Sequence, residues 1–118
     1  MNTVITYTYR DEDPLSSLTV RNECVVEGAI TPEMAQKIRA CLEGGKFIPA
    51  QVGLSEKRFE TWEDSDGPWF TFEGAAPTKR KPTVSEKIGD VVFRFLKSKN
   101  KWDPDFFRAA ARKGYRVD

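Results

Sequence analysis

The chain has 118 residues, 39% hydrophobic and 12% aromatic, with 19 Lys and Arg against 18 Asp and Glu, two Cys and no His. That length fits one domain, residues 1–118, and the composition supports an ordinary small core rather than a disordered chain. The absence of His excludes Ser-His-Asp and Cys-His nucleophile pairs, His-ligated zinc and a His general acid or base.

From Thr3 to Arg10 the residues alternate, with Ile5, Tyr7 and Tyr9 on one face and Thr6 and Thr8 on the other. This period of two predicts a half-buried strand, ended by the polar turn Asp11-Glu12-Asp13-Pro14. A second strand is predicted from Ser17 to about Glu27, with Leu18, Val20, Cys24 and Val26 on one face. Two short strands joined this way predict an antiparallel hairpin.

Gly28 closes the hairpin, and a helix is predicted over Pro32 to Glu43. Thr31 is the expected N-cap, Pro32 suits the first helical position, and Glu33 complements the positive end of the dipole. Ala35, Ile38 and Leu42 form the core stripe, and Gly44-Gly45 is expected to stop the helix with a positive φ. Lys46 to Leu54 reads as an extended, packed connection, because Pro49 and Gly53 disfavour a regular central strand. Arg58 to Glu63 and Trp69 to Glu73 then read as strands around the turn Asp64-Ser65-Asp66-Gly67-Pro68, an Asp-Gly hairpin signal.

Gly74 to Pro82, with two Pro and the basic run Lys79-Arg80-Lys81, reads as a linker. Thr83-Val84-Ser85-Glu86 fits a capping box that opens a helix bearing Val84, Ile88, Val91, Val92 and Phe95 on one face. Asp90 and Arg94 have the spacing of an ion pair on that helix. Asn100 and Lys101 break it, and Asp103-Pro104 restarts a second helix through Phe106, Phe107, Ala110 and Ala111 to Gly114. The organisation is therefore an acidic ββαββ part (1–76), a linker (77–82) and a basic two-helix part (83–118). The predicted fold class is α+β: an antiparallel sheet of about four strands with one helix across it, plus two C-terminal helices.

The N-terminus MNTVITYTYR lacks a basic region followed by a long apolar run, and no apolar stretch is long enough to span a membrane. A cytoplasmic location is expected, with Cys24 and Cys41 as reduced, buried thiols. They do not form a C-x-x-C pair, and no metal or cofactor is implied.

Three pieces of residues 3–70 carry a family resemblance: Ile5-Thr6-Tyr7-Thr8-Tyr9-Arg10-Asp11, then Val25-Val26-Glu27-Gly28 with Ile30-Thr31-Pro32-Glu33, then Leu42-Glu43-x-Gly45-x-Phe47-Ile48-Pro49-Ala50-Gln51-Val52-Gly53-Leu54. They resemble a family of small bacterial proteins of unassigned function whose signature is Phe-Ile-Pro-x-Gln-Val-Gly-Leu. Where members usually carry a His-Trp pair after an acidic turn, this chain has Gly67-Pro68-Trp69. The resemblance implies a bacterial, cytoplasmic protein and supplies no catalytic residue.

Chemistry has few places to reside. Glu60, Glu63, Asp64 and Asp66 are the densest acidic cluster, with the residue types of a carboxylate acid-base pair or an oxygen-ligand cation site. The spacing lacks a calcium loop's terminal Glu, and a solvated hairpin tip accounts for the cluster. No phosphate-binding glycine motif occurs. Cys41 lies near the C-terminal end of its helix, where the dipole does not activate a thiolate. An enzyme is not expected.

Charge is more informative. Residues 1–76 hold seven Lys and Arg against thirteen Asp and Glu, net −6, while residues 77–118 hold twelve against five, net +7. The candidate macromolecule-binding residues are Lys79, Arg80, Lys81, Lys97, Lys99, Lys101, Arg108, Arg112, Lys113 and Arg116, with Trp102 and Tyr115 as stacking faces. The alternative is that the basic helices dock on the acidic front half of the same molecule. The expected function is a non-enzymatic interaction or regulatory protein whose partner is another protein, with Trp62, Trp69 or Trp102 as candidate anchors. Nucleic-acid binding is the alternative, and a carboxylate-based enzyme a third.

Overall fold

A computed structural model describes residues 1–10, 19–56 and 69–103. The alternation at the N-terminus gives β1 (Asn2–Arg10), in which Thr3, Ile5, Tyr7 and Tyr9 are buried. It pairs antiparallel with β2 (Thr19–Val26) from Thr3↔Val26 to Arg10↔Thr19, as the predicted hairpin requires. Cys24 and Val26 stand opposite Ile5 and Thr3 and extend the same apolar face.

Helix α1 (Pro32–Cys41) begins as expected, with the Thr31 hydroxyl accepting from Met34 N at 3.1 Å. It stops two residues before the predicted end, and Gly44-Gly45 is not its cap. Both glycines have positive φ, +58° and +79°, and Glu43 and Lys46 exchange backbone hydrogen bonds across them. That is a two-residue hairpin loop of the kind that needs left-handed residues at both central positions. The turn delivers β3 (Lys46–Phe47), so the supposed extended connection contains a short strand and then a 3₁₀ turn at Pro49–Val52. The Glu56 carboxylate, 2% exposed, accepts from Ala50 N at 2.9 Å in the first turn of that 3₁₀ segment.

Strand β4 (Phe70–Thr78) corrects the linker reading. Residues 74–78 pair with β1 from Thr6↔Gly74 to Asn2↔Thr78, and β3 pairs only with Phe70 and Thr71. The four antiparallel strands are ordered β2-β1-β4-β3. The hairpin partner expected for Trp69 to Glu73, Arg58 to Glu63, lies outside the described residues. Composition misled here because Gly, Ala and Pro are weak strand formers, while pairing along β1 supplies the hydrogen bonds that propensity does not reward.

The predicted capping box at Thr83 does not open a helix. Thr83 N donates to Val25 O at 2.8 Å and its hydroxyl accepts from Val25 N at 2.9 Å, so residue 83 satisfies the free edge of β2. Exposed sheet edges call for such cover. Helix α2 (Ile88–Ser98) starts five residues later, where Ile88 N donates to Glu27 O. Ile88, Val91, Val92 and Phe95 are buried, as the predicted stripe requires. Arg94 pairs with Glu86 at 3.1 Å.

One apolar cluster joins the sheet face (Ile5, Tyr7, Tyr9, Cys24, Phe47, Phe70, Phe72), α1 (Ile38, Cys41) and α2. Two helices therefore cover the face where one was expected. The second predicted C-terminal helix lies outside the described residues. Cys24 and Cys41 are free and buried.

Candidate functional site

The outer side of α2 is the least satisfied surface among the described residues. Its sequence, IGDVVFRFLKS, carries six large apolar residues, more than one buried stripe uses. Ile88, Val91, Val92 and Phe95 fill the core, and the remaining two, Phe93 and Leu96, are 59% and 46% exposed. Three apart on a helix, they are neighbours on one face. Lys97 Nζ lies 5.5 Å from the Phe93 ring centroid, a cation-over-ring contact.

Beside this pair is a hollow of about 270 Å³ lined by Gln51, Arg94, Lys97 and Ser98. Gln51, from the 3₁₀ turn, fixes its floor. The Gln51 amide donates to Ser98 Oγ at 3.0 Å and Lys101 O at 3.2 Å, and its oxygen accepts from Asp103 N at 2.9 Å. The helix end is thereby stapled to the Phe47–Leu54 segment, and the cations around the hollow stand on a fixed support. The arrangement suits an apolar side chain laid on Phe93 and Leu96 with a carboxylate entering the hollow.

The predicted basic residues divide. Lys79, Lys81, Lys97, Lys99 and Lys101 are exposed. Arg80 is exposed as well, with its guanidinium 3.5 Å from Glu23 at the surface and its carbonyl accepting from the Asn2 amide. Asn2 in turn accepts from Gly28 N, beside the point where α2 begins. The eleven residues of α2 span about 16 Å, so the 79–81 cluster and the 97–101 cluster lie toward opposite ends of that helix. Arg108, Arg112, Lys113, Arg116 and Tyr115 lie outside the described residues, as do Trp62 and the acidic cluster Glu60, Glu63, Asp64 and Asp66.

Trp102 is not a stacking platform. Its Nε1 donates to Cys41 O at 3.0 Å, and its ring meets Phe95 at 5.8 Å and Phe47 at 6.4 Å between centroids. Trp69 is half-buried and packs edge-on against it at 6.5 Å. The Trp102 indole is therefore used by the core, where a large aromatic with a satisfied N–H is stable. Phe93 and Leu96 carry a sequence signal of their own, as the apolar residues of α2 left off its buried stripe.

A second cluster is internal. The Tyr7 hydroxyl donates to Ser55 O and lies 3.0 Å from Cys24 Sγ, which is also 3.0 Å from Ser55 Oγ. Cys24 is fully buried, and the arrangement ties β1 and β2 to the segment after the 3₁₀ turn. Burial raises the Cys41 thiol above its ordinary pKa, against a smaller lowering by Lys99. Among the described residues no three His, Cys, Asp or Glu side chains converge as a metal site, and no helix is long and apolar enough to cross a membrane. No family model, curated protein or solved structure matches the chain.

Proposed function

We propose that this chain is a small non-enzymatic interaction protein of the bacterial cytoplasm that binds another protein through the outer face of α2. The observation that carries the reading is the exposed Phe93–Leu96 pair beside the Arg94–Lys97 hollow. Adjacent exposed apolar side chains on an ordered helix are a common mark of a contact surface. With Arg94 already paired to Glu86, the surrounding Lys97, Lys99 and Lys101 favour as partner chemistry an apolar anchor accompanied by Asp or Glu. The family resemblance of residues 3–70 supports the cellular setting.

The second reading, nucleic-acid binding by the basic C-terminal part, is favoured by the exposure of Lys79, Lys81, Lys97, Lys99 and Lys101. Its described cations stand at two ends of α2 rather than in one stripe. A tagged chain is used as bait in host extract, with and without nuclease, beside Phe93→Ser/Leu96→Ser and Lys97→Glu variants. A retained protein that survives nuclease and is lost from both variants is the expected result. Retention that disappears with nuclease overturns the protein reading, and nuclease-resistant retention that both variants keep overturns binding through the outer face of α2. Loss of a hot-spot anchor should weaken binding about tenfold or more.

A further inference from the structure

The sheet face turned away from the core holds a hollow of about 440 Å³ whose lining includes Val4, Thr6, Thr8, Arg21, Arg39 and Gly74. Its origin is a register shift. Tyr7 pairs with Phe72 and Thr6 with Gly74, so β4 carries one extra residue at this point. Such a bulge bends its strand and re-aims side chains. Opposite Thr6 the strand then offers a glycine and opposite Val4 an alanine, Ala76, which leaves the face concave.

Two cations reach this concavity from different elements. Arg21 stands on β2 directly across from Thr8. Arg39 comes from α1, and its guanidinium lies 5.4 Å from the centre of the ring of Phe72, whose N–H donates to Gly45 O in the loop before β3. Stacking on an aromatic face orients a guanidinium while leaving its N–H groups available in the plane. Among the described residues Arg39 has no ion-pair partner, and the ion-pair contact of Arg21 is an exposed one with Glu23 at 4.0 Å. The Thr6 and Thr8 hydroxyls supply donors on the floor between them. Glu73 also lines the hollow, so the charged lining sums to one positive charge.

We propose that this hollow binds a small molecule through a single oxyanion group, a phosphate or a carboxylate. Arg39 is the fixed anchor, Arg21 the adjustable second donor, and Val4 and Ala76 the apolar floor for the ligand's body. A volume of this size matches small-ligand sites. Glu73 repels a second negative group, which disfavours polyanions and separates this site from the basic residues of the C-terminal part.

Titration by ¹H–¹⁵N NMR tests the proposal, with inorganic phosphate and acetate as separate probes and sodium chloride at matched ionic strength as the control. Saturable shifts are expected for the Thr6, Thr8 and Gly74 amides and the Arg39 Nε–H, with a Kd at or below about 10 mM, and the stronger probe identifies which oxyanion the site takes. Arg39→Met should weaken binding about tenfold or more. Gly74→Leu should abolish it without unfolding the chain, because a Cβ at Gly74 meets nothing within 4 Å and its backbone is not left-handed. Shifts that chloride reproduces, or binding that persists in Arg39→Met, overturn the proposal. The Arg39 arm decides the matter even if the leucine variant does not fold.

Discussion

Arg94 reaches Glu86 at 3.1 Å, and the two side chains close over Gly53. A Cβ at residue 53 would meet the Arg94 guanidinium and lie 2.9 Å from Glu86 Cγ and Cδ, on a backbone whose φ is +83°. Gly53→Ala is expected to lose about 1–3 kcal/mol, through left-handed strain and displacement of the pair. Glu86→Gln, which removes only a partly exposed ion pair, should lose no more than about 1 kcal/mol. Urea unfolding of both variants checks the order, and equal losses would place the cost in the pair rather than in the backbone.

Trp102 is tied to the core by one hydrogen bond and three ring contacts. Trp102→Phe keeps much of the packing and should cost about 1 kcal/mol for the lost donor to Cys41 O. Trp102→Ala should cost at least twice that, about 2 kcal/mol or more, because it also opens a void beside Phe47 and Phe95. Unfolding midpoints at unchanged denaturant slope measure both. An alanine variant as stable as the parent would return Trp102 to the surface role.

The raised pKa of Cys41 makes alkaline stability depend on this thiol. As pH rises, the unfolded chain ionises Cys41 first, while the folded chain holds the proton. The stabilisation is therefore complete below the ordinary thiol pKa of 9.0 and declines above it until the folded group ionises. Cys41→Ala should lower stability at neutral pH through lost packing, yet lose less than the parent as the pH is raised above 9.0. Parallel unfolding curves at those pH values decide it, and identical slopes would refute the role of this thiol.

Phe93→Ser and Leu96→Ser should leave stability within about 0.5 kcal/mol of the parent, since neither side chain is buried. Thermal melts of the purified variants are the measurement. A large loss would show that these residues are packed in solution and would withdraw them as a contact surface.

Much of the local structure was readable one element at a time. Alternation placed Ile5, Tyr7 and Tyr9 in the core, Thr31-Pro32-Glu33 marked the start of α1, and the Ile88–Phe95 stripe marked the buried face of α2. The failures share a cause. Gly44-Gly45 suits a helix stop and a hairpin loop equally, and only the return of Lys46 to Glu43 selects the loop. Thr83 with Glu86 suits a cap, but the free edge of β2 competes for the same hydroxyl and wins. Gly74 to Thr78 looks like a connection until β1 offers it a partner. In each case a short polar or glycine-rich motif has two uses with similar local energies; for Thr83 and for Gly74 to Thr78 a strand distant in sequence decides between them.

The candidate surfaces divide in the same way. Absence of His and the division of charge into −6 and +7 are properties of the sequence alone, and they discounted one class of catalysis and pointed to binding. Which cations stand together, and which aromatic is left outside, followed from tertiary structure. Arg80 turned to Glu23, Trp102 sank against Phe95, and Phe93 was left exposed because the core had room for only one face of α2. Arg21 and Arg39, unremarkable in the sequence, meet at one hollow because a single extra residue in β4 bends the sheet. Composition specifies which groups a chain carries, and long-range packing specifies which of them water still reaches.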